Sequence, residues 1–159
     1  MSADPAIQFE TESEAETVAL GERLARLLRA GDVVALEGEL GAGKTRFVRG
    51  MARGLGCDER LVSSPTYLIA HEYSGGPGRP SLVHVDAYRL RSGDELEGLG
   101  LEDAMRDGAL VVEWASRIED RLDPGRLRVS IEHAGDDRRA ISFSWDPEGH
   151  SWAERLASL

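Results

Sequence analysis

Residues 33 to 55 constrain this chain more than any other stretch. Asp32-Val33-Val34-Ala35-Leu36-Glu37 holds a short unbroken apolar run, which predicts a buried strand. Gly38-Glu39-Leu40-Gly41-Ala42-Gly43 follows, too rich in glycine for a regular element. From Lys44 onward Phe47, Val48, Met51 and Leu55 recur at helical spacing, and Gly54 and Gly56 mark the end of that helix. Gly38-x-x-x-x-Gly43-Lys44-Thr45 therefore sits between a buried strand and a helix, the context in which this spacing cradles phosphate. Glycines let the backbone curl so that successive N–H groups point inward. The helix adds its dipole and its unpaired first-turn N–H groups. In such a loop Lys44 faces the β- and γ-phosphates and Thr45 offers a hydroxyl to Mg²⁺.

Composition sharpens this reading at one position. Of the 19 basic side chains, Lys44 is the only lysine and the remaining 18 are arginine. A curled loop takes a compact ammonium better than the wide guanidinium fork, so the exception falls where the physics asks for it.

The rest of the chain fits one α/β domain over residues 1–159. Ser13-Glu14-Ala15-Glu16 has the capping-box pattern, with Ser13 as N-cap and Glu16 reaching back. Leu20, Leu24, Leu27 and Leu28 continue that helix until Gly31. Tyr67 to Tyr73 and Leu82 to Tyr88 predict two strands, joined by a flexible Gly- and Pro-rich turn from Ser74 to Pro80. Asp94 to Asp107 suits short helices, and Ala109-Leu110-Val111-Val112-Glu113-Trp114 a buried strand ending in a carboxylate. Leu127 to His133 and Arg139 to Trp145 predict an antiparallel C-terminal hairpin turning at Gly135, before a last helix in Pro147 to Leu159. The expected fold is a P-loop NTPase-like domain, a mixed central sheet flanked by helices.

Several function classes are disfavoured. A net charge of −10 gives no broad attraction to nucleic acid. Cys57 is the sole cysteine, and the four histidines lack ligand-like spacing, so neither an intrachain disulfide nor a structural zinc site is expected. No apolar run approaches bilayer length and no export signal is visible, so a cytoplasmic location away from membranes is expected.

A phosphate loop needs a metal anchor, and ligands in open α/β sheets gather at the C-terminal ends of strands. Val83-His84-Val85-Asp86 and Val111-Val112-Glu113 each carry a carboxylate there. One would orient Mg²⁺ and the other an attacking water; spacing does not divide the roles, and either acid alone also suits a cap or surface pair. Trp114 suits a packing wall, and Ser64-Pro65-Thr66-Tyr67 either a turn entering a strand or a segment whose hydroxyls face the γ-phosphate. Arg46, Arg49 and Arg53 form a stripe on the second helix, either a solvated face or a dock for an acidic partner.

Taken in order, Gly38 to Thr45, Ser64-Pro65-Thr66-Tyr67, His84-Val85-Asp86-Ala87-Tyr88-Arg89-Leu90 and Val112-Glu113-Trp114 resemble the TsaE family, over roughly Glu12 to Trp114. That resemblance implies a cytoplasmic ATPase of tRNA threonylcarbamoyladenosine synthesis at adenosine 37. It would work with the TsaD and TsaB proteins, with tRNA held by those partners. It implies that Glu39, Leu40, Gly41, Ala42, Gly43, Lys44, Thr45 and Arg46 hold ATP, and that Thr45 and Glu113 ligate Mg²⁺. Lys44, Asp86, Thr66 and Trp114 would be catalytic, Asp86 by positioning or activating water. Ser13 and Glu14 would approach the adenine, and Arg138 the nucleotide. A small-molecule kinase is the competing reading; such kinases close an Arg-rich lid over the transfer site, and no convincing lid segment is visible.

Overall fold

The computed structural model describes residues 4–63, 69–147 and 151–159. Its seven strands are β1 (Ala6–Thr11), β2 (Val33–Gly38), β3 (Ala70–Tyr73), β4 (Ser81–Asp86), β5 (Gly108–Glu113), β6 (Leu127–His133) and β7 (Arg139–Ser144). They form one sheet in the order β1-β7-β6-β2-β5-β4-β3. The central four, β6-β2-β5-β4, run parallel to one another, while β3, β7 and β1 are antiparallel to their neighbours. This is the expected mixed sheet with its C-terminal hairpin.

Strand periodicity divides the core into two layers. Val34 and Leu36 of β2, Ala109 and Val111 of β5, and Leu82 of β4 face α1 (Glu14–Ala25) and α2 (Lys44–Gly54). Val33, Ala35, Leu110, Val112, Val83 and Val85 face the opposite layer. There they meet α3 (Gly93–Glu97), α4 (Leu101–Met105) and 3-10 turns at Ala87–Arg89 and Ala115–Arg121. A last helix, α5 (Trp152–Leu156), returns to the α1 side, where Trp152 is buried and its indole N–H donates to the Gly125 carbonyl.

Helices α1 and α2 pack with their backbones almost touching. A Cβ on Gly50 would lie 2.0 Å from the Val18 carbonyl oxygen, one on Gly21 2.3 Å from that of Phe47, and one on Gly54 2.4 Å from that of Glu22. Only glycine fits these three positions without moving a helix. The contact fixes where α2 begins, and therefore where its first turn points.

Local differences from the sequence reading have physical causes. Ser13 caps α1 by accepting from the Glu16 N–H at 3.1 Å, but the Glu16 carboxylate takes the N–H of Glu12, one residue earlier than a reciprocal box requires. The α-helix stops at Ala25. Leu27 and Leu28 follow in tighter i→i+3 turns, and Gly31 takes up a positive φ of 88°. The Ser74–Pro80 turn is docked rather than loose: the Gly76 N–H donates to the Leu55 carbonyl at 2.8 Å, and the Arg79 guanidinium donates to that of Gly54 at 2.5 Å. Strand β1 was not expected at all. Tyr67 and the residues from Glu148 to His150 lie outside the described residues.

Candidate functional site

The loop between β2 and α2 is shaped by three glycines. Gly41 and Gly43 have φ of 78° and 107°, a region that side-chain-bearing residues rarely adopt. A Cβ on Gly38 would lie 2.8 Å from the Ile131 carbonyl oxygen. Gly43 is the N-cap of α2, and among the described residues no side chain caps this helix and its first turn carries no acid. The leading N–H groups of α2 thus point out of the helix with a partial positive charge, an arrangement suited to an anion.

Lys44, the first residue of α2, is 7% exposed. Its ammonium donates to the Gly38 carbonyl and lies 3.8 Å from the centroid of the Trp114 ring. Burial lowers its pKa from the ordinary lysine value, opposed by the charges of Glu113, Glu37 and Asp86 in that order. The lone lysine therefore sits among three carboxylates.

Two of those carboxylates continue the α2-facing rows of neighbouring strands. Leu82, His84 and Asp86 alternate along β4 as Ala109, Val111 and Glu113 do along β5, and Asp86 stands opposite Glu113 in the parallel register. The β5 row stays apolar up to Glu113, whereas the β4 row turns ionisable already at the fully buried His84. Asp86 accepts from the Tyr88 N–H at 3.0 Å, so one of its oxygens caps the turn at Ala87–Arg89. Glu113 is 5% exposed, and its Oε2 lies 2.6 Å from Nε2 of the fully buried His84.

A cleft of about 870 Å³ brings these groups together. It is lined by Leu40, Gly41, Gly43, Lys44, Thr45, Arg46, Arg49, Asp86, Tyr88, Arg89, Glu113 and Trp114. Trp114 forms a wall in an unusual backbone state, with φ of 58°. For a bulky residue this left-handed conformation is strained, and tertiary contacts hold it. Its N–H donates to the Leu36 carbonyl at 3.1 Å, and its ring packs 5.3 Å from that of Tyr88.

The structure thus gathers the predicted loop, Lys44, Thr45, Asp86, Glu113 and Trp114 around one cavity, with Leu40 88% exposed on the loop crest. Glu39 lines an adjoining cleft with Glu37, Ala42, Glu132 and His133. Thr66 lies outside the described residues. The arginine stripe on α2 is engaged within the chain: Arg46 pairs with Glu14 at 2.5 Å and Arg53 with Glu59 at 2.9 Å, while Arg49 reaches the Val62 carbonyl at 3.5 Å. Ser13 is occupied in capping α1.

Arg138 pairs with Glu10 at 3.7 Å. The residue that reaches the loop is its neighbour. Arg139 is 6% exposed; its Nε donates to the Ala42 carbonyl at 2.7 Å and its Nη1 to those of Asp136 and Arg138. It bolts the glycine-rich loop to the β6–β7 turn. Sequence reasoning missed it because one arginine in a polar hairpin has no periodicity to betray its burial.

Comparison with known proteins points to one family. The model of the family described as threonylcarbamoyl adenosine biosynthesis protein TsaE matches residues 11–141. The chain belongs to the TsaE family. Among curated TsaE proteins, described as tRNA threonylcarbamoyladenosine biosynthesis proteins, that of Bacillus subtilis is 44% identical over 139 residues, covering 87% of this chain and 85% of its own. The TsaE of Streptomyces coelicolor is 50% identical over 119 residues, covering 74% and 80%. The crystal structure of YdiB from Bacillus subtilis superposes with a TM-score of 0.78 at 33% identity, covering 99% of this chain and 96% of that one. The TsaE match stops at residue 141 and so takes in the glycine-rich loop, both strand-end carboxylates and Arg139. No helix among the described residues is long and apolar enough to cross a membrane.

Proposed function

We propose that this chain is a Mg²⁺-dependent ATPase acting in tRNA threonylcarbamoyladenosine synthesis at position 37, in the cytoplasm, with TsaB and TsaD as protein partners. The observation that carries the reading is the convergence, in one cleft, of an uncapped helix N-terminus, the only lysine, and two strand-end carboxylates. Membership of the TsaE family supports the pathway.

The residues present fit a magnesium triphosphate. Adding a Cβ at Gly38 would drive it into the Ile131 carbonyl, so the backbone curl depends on its absence. The first-turn N–H groups of α2 and the Lys44 ammonium supply the positive side of the site. The Thr45 hydroxyl and the Glu113 carboxylate supply hard oxygen donors, the type Mg²⁺ prefers. When bound, Mg²⁺ neutralises charge on the phosphate oxygens. Asp86, at the end of the adjacent strand, accepts a hydrogen bond from the attacking water and orients it. Trp114 and Tyr88 wall the cleft and limit the water that reaches the γ-phosphate. An acidic chain of net charge −10 suits an arrangement in which the partners hold the tRNA.

The test is phosphate release from ATP by the chain alone and with purified TsaB and TsaD. Slow turnover alone and a clear rise with both partners is the expected result. An unchanged rate with both partners present, or phosphate appearing on a small acceptor, refutes it.

A further inference from the structure

The side chain of His84 is one of two among the described residues with a buried polar atom that finds no hydrogen-bond partner. The imidazole is fully buried on the α2-facing row of β4, between Leu82 and Asp86, with Tyr73 at 6.5 Å and His71 directly opposite on β3. Its Nε2 lies 2.6 Å from Glu113 Oε2, whereas its Nδ1 has no partner. A carboxylate only accepts, so Nε2 carries a hydrogen, and Nδ1 is left unmatched. Leaving a buried polar atom unmatched costs on the order of 1–3 kcal/mol. An apolar residue would fill the space without that penalty, so packing does not account for a histidine here. The contact with Glu113 does.

We propose that His84 is the positioning residue for Glu113: its Nε2–H fixes one carboxylate oxygen so that the other remains for Mg²⁺. The inference rests on the function proposed above. Buried Glu113 otherwise has a competing attraction in Lys44, whose ammonium feels the charge of Glu113 more than that of Glu37 or Asp86. A carboxylate free to rotate toward that ammonium would neutralise the group needed for phosphate and turn its oxygens away from the metal. Hydrogen bonds to the far side of a ligating group serve this orienting purpose in metal sites generally, and their loss typically weakens metal affinity by about 10- to 100-fold.

The test measures ADP and non-hydrolysable ATP affinity by calorimetry, in Mg²⁺ and in EDTA, for the full chain and for His84→Ala, His84→Gln, Glu113→Ala and the His84→Ala/Glu113→Ala double variant. His84→Ala should lose at least about tenfold of the Mg²⁺-dependent gain in affinity, while its affinity in EDTA matches wild type. His84→Gln, which restores an N–H donor, should recover part of that gain. The double variant should be no worse than Glu113→Ala, because both changes remove the same contact. If His84→Ala does not fold, His84→Leu, of similar bulk but without a donor, takes its place in every comparison. A wild-type Mg²⁺ gain in the donor-less variant, or an equal loss in Mg²⁺ and EDTA, overturns the assignment while leaving the proposed function intact. Wild-type protein that binds neither nucleotide overturns both.

Discussion

Replacing Gly50 by alanine tests the backbone contact that seats α2. The new Cβ would lie 2.0 Å from the Val18 carbonyl oxygen, 2.9 Å from the Val18 carbonyl carbon and 3.1 Å from the Glu22 nitrogen. All three are backbone atoms of α1, so no side chain can rotate to make room. Restoring ordinary contact requires the helices to separate locally by about 1.3 Å, and even 0.5–1 Å of gap forfeits a quarter to a half of each dispersion well. With roughly twenty atom pairs along the seam at about 0.15 kcal/mol each, that loss is about 1.5 kcal/mol. Strain from shifted backbone adds about 1–2 kcal/mol, as in other overpacked cores. The better helix propensity of alanine returns about 1 kcal/mol. The net destabilisation is about 2 kcal/mol, which lowers the melting temperature of a chain this size by about 4–8 °C. Thermal and urea unfolding followed by circular dichroism measure it, with Gly98→Ala as control: there the nearest atom to a Cβ is the Glu95 carbonyl oxygen at an ordinary 3.5 Å. A Gly50→Ala protein as stable as wild type would refute the reasoning, since it would mean that α1 and α2 part without loss.

Four further outcomes are expected. Lys44→Ala should abolish measurable nucleotide binding by calorimetry with little change in melting temperature; retained binding removes the ammonium from the site. Asp86→Asn should retain nucleotide affinity but lower phosphate release by at least about 100-fold, as loss of a water-orienting carboxylate typically does; single-turnover kinetics separate the two. Arg139→Gln should weaken nucleotide binding about tenfold or more, because the Ala42 carbonyl loses a charge-assisted hydrogen bond at 2.7 Å and the loop loosens; wild-type affinity would show that the loop holds its shape unaided. Cys57 is buried and its thiol donates to the Tyr73 carbonyl, and burial raises its pKa. The unfolded chain ionises this thiol first as pH rises, so the native state keeps the extra proton and stability falls between the ordinary thiol value and the raised one. Urea titrations of wild type and Cys57→Ala across that alkaline window should diverge, with wild type losing more.

Sequence made the phosphate-type loop legible because strand, glycines, lysine and helix are contiguous, so local rules suffice. The same holds for β5 and for the C-terminal hairpin, where an apolar run or a glycine turn is complete within a few residues. Strand β1 escaped notice because only Ile7 and Phe9 supply its apolar face, and its neighbours Gln8 and Glu10 read as loop until a partner is known. The His84–Glu113 contact and the burial of Arg139 depend on residues separated by 29 and 97 positions, distances over which no spacing rule operates. In sequence Gly54 reads as a helix end, and Gly21 and Gly50 carry no local sign that two helices meet there. These three glycines prove to be the closest approaches between the helices, a property that belongs to the pair and to neither helix alone.

Because Ala6 lies beside Ser144 and Thr11 beside Arg139, the first of the described strands in sequence is completed by the last of them. Until then β1 has no template, and its alternating Ile7 and Phe9 remain available to any exposed sheet edge. Commitment to the native arrangement therefore waits for the far hairpin. A nascent chain stalled before β7 would lack Arg139 and so carry an unfastened glycine-rich loop on an unsealed sheet, and chaperone recognition of such intermediates should concentrate on those two side chains.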